Sequence, residues 1–149
     1  MEETRKTGAN TKSKRSIIIK ITIAVVIVAL AAGLYFAATY MAQLQEYKKR
    51  IAEISITNVD LSKIPDGSYT GSYDAIMIAA KVRVDVSDHA IKGIDILYHK
   101  NERGKKAEAV VNEVKSAQSL KVDTITGATN SSKVLLKAMQ NALNSGLKA

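Results

Sequence analysis

A chain of 149 residues leaves room for one modest domain plus a targeting segment, and excludes a two-domain enzyme. The absence of cysteine excludes disulfides, Fe–S clusters and thiolate zinc sites, and two histidines, His89 and His99, do not supply a histidine-rich metal site. The formal net charge of +8 divides evenly: residues 1–20 carry six basic and two acidic side chains, and residues 43–149 carry sixteen and twelve. The first share reads as a topology signal. The second is a solvated surface of singly scattered lysines, without the arginine-rich, aromatic-interleaved pattern of nucleic-acid modules.

Residues 1–15, rich in Thr, Lys, Ser and Asn, read as a disordered basic tail. An apolar segment follows over 16–42, and from Ile21 to Ala42 it holds no charged residue. At the helical rise of about 1.5 Å per residue those positions span roughly 30 Å, the thickness of a bilayer core. Arg5, Lys6, Lys12, Lys14, Arg15 and Lys20 outweigh Lys48, Lys49 and Arg50 across the segment, which places the N-terminus in the cytoplasm and the rest outside. The rival is a cleavable signal peptide with Ala29-Leu30-Ala31 as its small-x-small site. Apolar length favours the anchor, since signal peptides use only about 7–15 apolar residues.

Residues 43–63 read as a stalk or linker, in which Leu44, Tyr47, Ile51 and Ile54 are spaced for one helix face. The turn residues Ile64-Pro65-Asp66-Gly67-Ser68 then open a domain spanning 64–149. A short strand is expected over Ser68–Ser72. The alternating Lys81–Val86 and the strand-like Ala90–Tyr98 flank Ser87-Asp88-His89 and so predict an antiparallel hairpin. Helical spacing returns at about Lys105–Leu120, through Ala107, Val110, Val111, Val114 and Ala117, and again at about Ser132–Leu147, through Leu135, Leu136, Met139, Ala142 and Leu143. Strands first and helices after predict an α+β fold, a small antiparallel sheet with two helices on one face, preceded by one transmembrane helix.

Between the two helices lies Asp123-Thr124-Ile125-Thr126-Gly127-Ala128-Thr129, followed by Asn130, Ser131 and Ser132. Two readings fit these residues. In one, Ser131 or Ser132 is a helix N-cap and the loop is a tight entry into it. In the other, Gly127 lets the backbone be approached closely, Ala128 keeps the surroundings of Thr129 uncrowded, and the helix N-terminus stabilises a phosphate joined to the Thr129 hydroxyl.

The string resembles the D-x-x-[S/T]-G-A-T signature of the FMN-binding domain family, which includes the FMN-carrying small subunits of the sodium-pumping NADH:quinone oxidoreductase and of the Rnf complex. Asp123, Thr126, Gly127, Ala128 and Thr129 meet every specified position. Asp66-Gly67-Ser68-Tyr69-Thr70-Gly71 is similar to the start of small members, and Asn112–Ser119 to the helix that leads into the signature. The resemblance covers about Ile64 to Leu147. It implies FMN joined by a flavin transferase through a phosphoester to Thr129, with Asp123 serving the transferase or orienting the loop, Thr126 bonding the phosphate, and Gly127 and Ala128 giving clearance. Where larger subunits carry an E-T-P-G-like segment, this chain reads His99-Lys100-Asn101-Glu102-Arg103-Gly104, which favours a compact stand-alone carrier over a pump subunit.

The implied protein is a membrane-anchored extracytoplasmic flavoprotein that passes electrons between a membrane donor and an external acceptor, an electron carrier more than an independent enzyme. The alternative is a noncovalent FMN-binding or interaction subunit of a membrane redox complex. Expected partners are the transferase, a membrane redox partner and the bilayer, with no nucleic acid and no metal. Tyr69 and Tyr98 are read as sheet core, and His99 as a surface histidine.

Overall fold

The structure, a computed structural model, describes residues 3–101 and 104–148, with side chains from residue 14 onward. Glu102 and Arg103 of the segment that departs from the larger subunits lie outside the described residues, as do Met1 and Glu2 of the tail expected over 1–15, the rest of which is helical. The chain forms two compact units, Met1–Ala42 and Gln43–Ala149.

The first unit belongs to helix α1 (Glu3–Glu53). One stretch of it, Lys14–Glu53, is long and apolar enough to cross a membrane, and the side chains of its most apolar window are unburied. Ile19, Ile23, Val26, Leu30, Leu34 and Phe36 are all at least half exposed.

In the second unit three strands, β1 (Gly67–Asp74), β2 (Ala79–Ser87) and β3 (Ala90–Lys100), form an antiparallel sheet in the order β1-β2-β3. Each was expected from the sequence, β1 as a short strand and β2 and β3 from their alternation, and each extends a residue or more beyond the stretch read. In β2, Ala80, Val82, Val84 and Val86 are buried while Lys81 and Arg83 point to the other face. The β2–β3 turn is closed by Asp88 and His89, whose φ values of 52° and 57° give the doubly left-handed geometry of a two-residue hairpin. Asp66 braces it: its carboxylate accepts from the Asp88 N–H at 3.0 Å and the Ser87 hydroxyl at 3.2 Å.

Helix α3 (Thr129–Gly146) packs on β1 and β2, and the short helix α2 (Val110–Ala117) packs beside β3, so both lie on one face of the sheet. The helix expected over Lys105–Leu120 begins instead as a 3₁₀ turn (Lys105–Ala109) and ends at Gln118, which is left-handed at φ 50°. The Gln118 amide gives the early end its reason. Its Oε1 accepts from the Ile91 N–H at 2.7 Å and its Nε2 donates to the Ile91 carbonyl at 3.0 Å, substituting for a strand at the edge of β3.

Gly71 is where α3 and β1 touch. A Cβ there would land in the backbone of Ala138 and Ala142, so only hydrogen allows helix and strand to approach this closely.

Residues 43–63, read from sequence as a stalk, contribute to this unit's core through Ile51 and Val59, with Tyr47, Ile54, Ile56 and Leu61 packed against it. Lys137 Nζ donates to the Ser55 carbonyl at 3.2 Å, and Asn58 Oδ1 accepts from the Leu120 N–H at 3.0 Å. Asp60 opens a 3₁₀ turn (Leu61–Lys63) by accepting from the backbone and hydroxyl of Ser62, which holds its carboxyl below the usual range. With the folded value depressed, this cap is present above the ordinary carboxylate range and lost as acid protonates Asp60.

Candidate flavin site at the start of helix α3

Helix α3 starts earlier than its apolar spacing indicates. Its first residue is Thr129, and the N-cap position falls to Ala128, which has no side chain able to cap. The N-cap reading of Ser131 or Ser132 is therefore corrected: both lie inside the first turn, 3% and 0% exposed.

Ser132 has a different task. Its hydroxyl donates to the Ala128 carbonyl at 3.0 Å and accepts from the Ile125 N–H at 3.1 Å, fastening the loop to the helix that follows it. Ser132→Ala strands a part-buried N–H at Ile125 and empties a buried position, and a loss of about 1–3 kcal/mol is expected in urea unfolding of the full chain in micelles.

The consequence falls on Thr129. Among the described residues no acceptor meets the backbone N–H groups of Thr129, Asn130 and Ser131; the first intrahelical bond in this turn is from Ser132 to Ala128, at 2.9 Å. Three free donors and the positive end of an 18-residue helix therefore converge where the Thr129 side chain is exposed.

Asn130 is held aside, its Nδ2 donating to the Tyr47 hydroxyl at 2.9 Å. Gly127 has φ 80°, a value that turns the loop sharply into the helix, and the space a Cβ would take is open. Ala128 is only 6% exposed, so its smallness serves packing rather than clearance around Thr129. Asp123 and Thr126 are exposed and, among the described residues, their side chains make no hydrogen bond within the chain.

The remaining sequence candidates separate. Tyr69 donates to the Pro65 carbonyl at 2.7 Å and packs on Gly146, at the opposite end of α3 from Thr129. Tyr98 is 55% exposed, paired with Lys81 on the sheet face away from the helices. Tyr69 is half-buried against the core, as read, whereas Tyr98 is not core.

His99 is a correction in the other direction. It was read as a surface residue, yet its side chain is 3% exposed, opposite Ala80 on the helix-bearing face. Its Nδ1 lies 3.2 Å from Glu108 Oε1, and its Nε2 is buried with no partner among the described residues. Strict strand alternation gives no signal of the inward position, since His99 lies three residues, an odd step, beyond half-buried Ile96 and would face outward. The bulge between Lys81 and Val82 shifts the phase and turns it inward.

Against the known families, the model described as FMN-binding domain matches residues 77–144. The chain carries an FMN-binding domain. The match runs through β2, β3, α2, the loop from Asp123 and most of α3, leaving β1 and the segment before it outside. No curated protein matches the chain. A phosphate ester needs an exposed hydroxyl and anion-binding donors, and within the matched residues Thr129 with the first turn of α3 offers both. These residues fit the cofactor, and the chain is a flavin-binding protein.

Proposed function

We propose that the chain is a membrane-anchored electron carrier whose FMN is joined through a phosphoester to Thr129, the outer unit facing away from the cytoplasm. The observation that carries the reading is the exposed Thr129 hydroxyl at the head of three uncommitted N–H groups. FMN supplies one- and two-electron chemistry when bound. The protein's own contribution is to hold the phosphate on the α3 N-terminus, fasten the loop through Ser132, and confine the cofactor near the membrane.

A covalent link matters most outside the cell, where a dissociated FMN is diluted away; tethering fixes its local concentration. The asymmetry of basic residues across the apolar segment supports an outward-facing domain. The partners that follow are a flavin transferase for maturation, a donor in the membrane and an acceptor outside it.

The test uses right-side-out membrane vesicles containing the full chain matured by a transferase. Flavin fluorescence should remain with the denatured polypeptide. In intact vesicles the flavin absorbance should bleach on adding a respiratory substrate and return on adding ferricyanide, which does not cross the membrane. Flavin lost on denaturation would leave a noncovalent binder, and flavin that never bleaches would remove the electron-carrier role.

A further inference from the structure

Beside the attachment loop lies a shallow groove of about 600 Å³, lined by Glu113 and by Lys121 through Thr126. Resting on the reading that FMN is joined at Thr129, we propose that this groove is the seat of the isoalloxazine ring, with Val122, Ile125 and the backbone of Val122–Thr126 as its contacts.

The groove has the two surfaces such a ring needs. Val122 and Ile125 are half-buried, packed against the core on one side and exposed on the other, an apolar strip for a flat aromatic system. The polar part of an isoalloxazine is a pyrimidine edge that alternates acceptor, donor, acceptor, which is the pattern an unpaired stretch of main chain complements.

Such a stretch is present. The N–H of Lys121 is taken by Ser119 and that of Ile125 by Ser132. Among the described residues, those of Val122, Asp123, Thr124 and Thr126 meet no acceptor, and the segment from Lys121 to Ile125 belongs to neither helix nor sheet. Backbone left unpaired at a groove is expensive unless water or a ligand satisfies it.

Reach agrees. Thr126 and Thr129 are three residues apart, at most roughly 11 Å along the chain, about the length of an extended ribityl phosphate.

The chain has no tryptophan, so one introduced indole is a clean quencher of flavin fluorescence. Glu113 is exposed on α2 at the groove, and Thr70 is exposed on the opposite face of the sheet. In the full chain carrying covalent flavin, Glu113→Trp should shorten the flavin lifetime several-fold while Thr70→Trp leaves it as in the wild type. Equal lifetimes in all three would overturn the assignment.

Amide exchange on the unsubstituted protein gives a second readout: loading with flavin should slow Val122, Asp123, Thr124 and Thr126. Unchanged exchange would overturn the seat, and so would protection that appears only when other membrane proteins are added, since the free edge would then be a docking site for a strand of another chain. Failure of the attachment itself registers separately, as absence of flavin from the denatured wild-type chain.

Discussion

Thr129→Ala leaves the full chain without covalent flavin even when a transferase is co-produced. Intact mass then shows the bare polypeptide and the denatured band shows no fluorescence, whereas the wild type carries the mass of FMN less one water. The effect is all or none because no neighbour can substitute. Ser131 and Ser132 are buried, and Ser132 is committed to Ile125 and Ala128. Thr126 is exposed and keeps its hydroxyl, but it precedes the turn at Gly127 and has no helix N-terminus behind it. Thr126→Ala should therefore retain attachment at reduced yield. Stability should hardly change in either variant, since both side chains stand in solvent. Fluorescence persisting in Thr129→Ala would move the link elsewhere or make it noncovalent.

Asp123 belongs to the same experiment. Turn-forming carboxylates in this chain show what that role looks like: Asp66 clasps the Ser87–Asp88 turn, and Asp74 accepts from the Ile76 N–H at 2.6 Å. Asp123 makes no such bond among the described residues, which leaves its carboxylate unspent within them, as the proposed service to a transferase requires.

The second large effect is mechanical. Gly71→Ala should cost about 3 kcal/mol or more, read as a fall in the urea midpoint of the full chain in micelles followed by near-ultraviolet circular dichroism. The added methyl meets main-chain atoms of Ala138 and Ala142, which have no rotamer to change, so α3 must lift from β1. Total stabilities of small domains are about 5–15 kcal/mol, and a loss of this size also tilts the first turn where Thr129 sits. A midpoint within experimental error of the wild type would mean that α3 does not approach β1 this closely.

The particular residues show what the sequence could disclose. The hairpin was legible because alternation in Lys81–Val86 and Ala90–Tyr98 brackets a connection too short for anything else. The apolar helix was legible from charge alone. The signature was legible as a string, and the family match falls on it.

What stayed hidden was decided by contacts between distant segments. Apolar spacing could not reveal that α3 begins at Thr129, because its first turn is Thr, Asn, Ser and Ser and depends on Ser132 reaching back to Ile125. Nor could it place Tyr47 against Asn130, 83 positions later. The helical spacing of Leu44, Tyr47, Ile51 and Ile54 was visible in residues 43–63, but not the surface it packs on. His99 was misread because a β-bulge moves the inward phase of β3 by one residue.

The packing of α3 also fixes an order of events in the life of the molecule. The helix covers β1 and β2, strands made long before it, and its own residues Val134, Leu135, Ala138, Met139 and Leu143 fill the core beneath them. A nascent chain holding only the sheet therefore has a bare apolar face and no closed core, and contacts so far apart in sequence form slowly. Thr129 reaches its place above three free amides only when that helix has docked. On the proposed attachment at Thr129, the cofactor is acquired only after α3 has docked, which makes the unmodified protein a maturation intermediate.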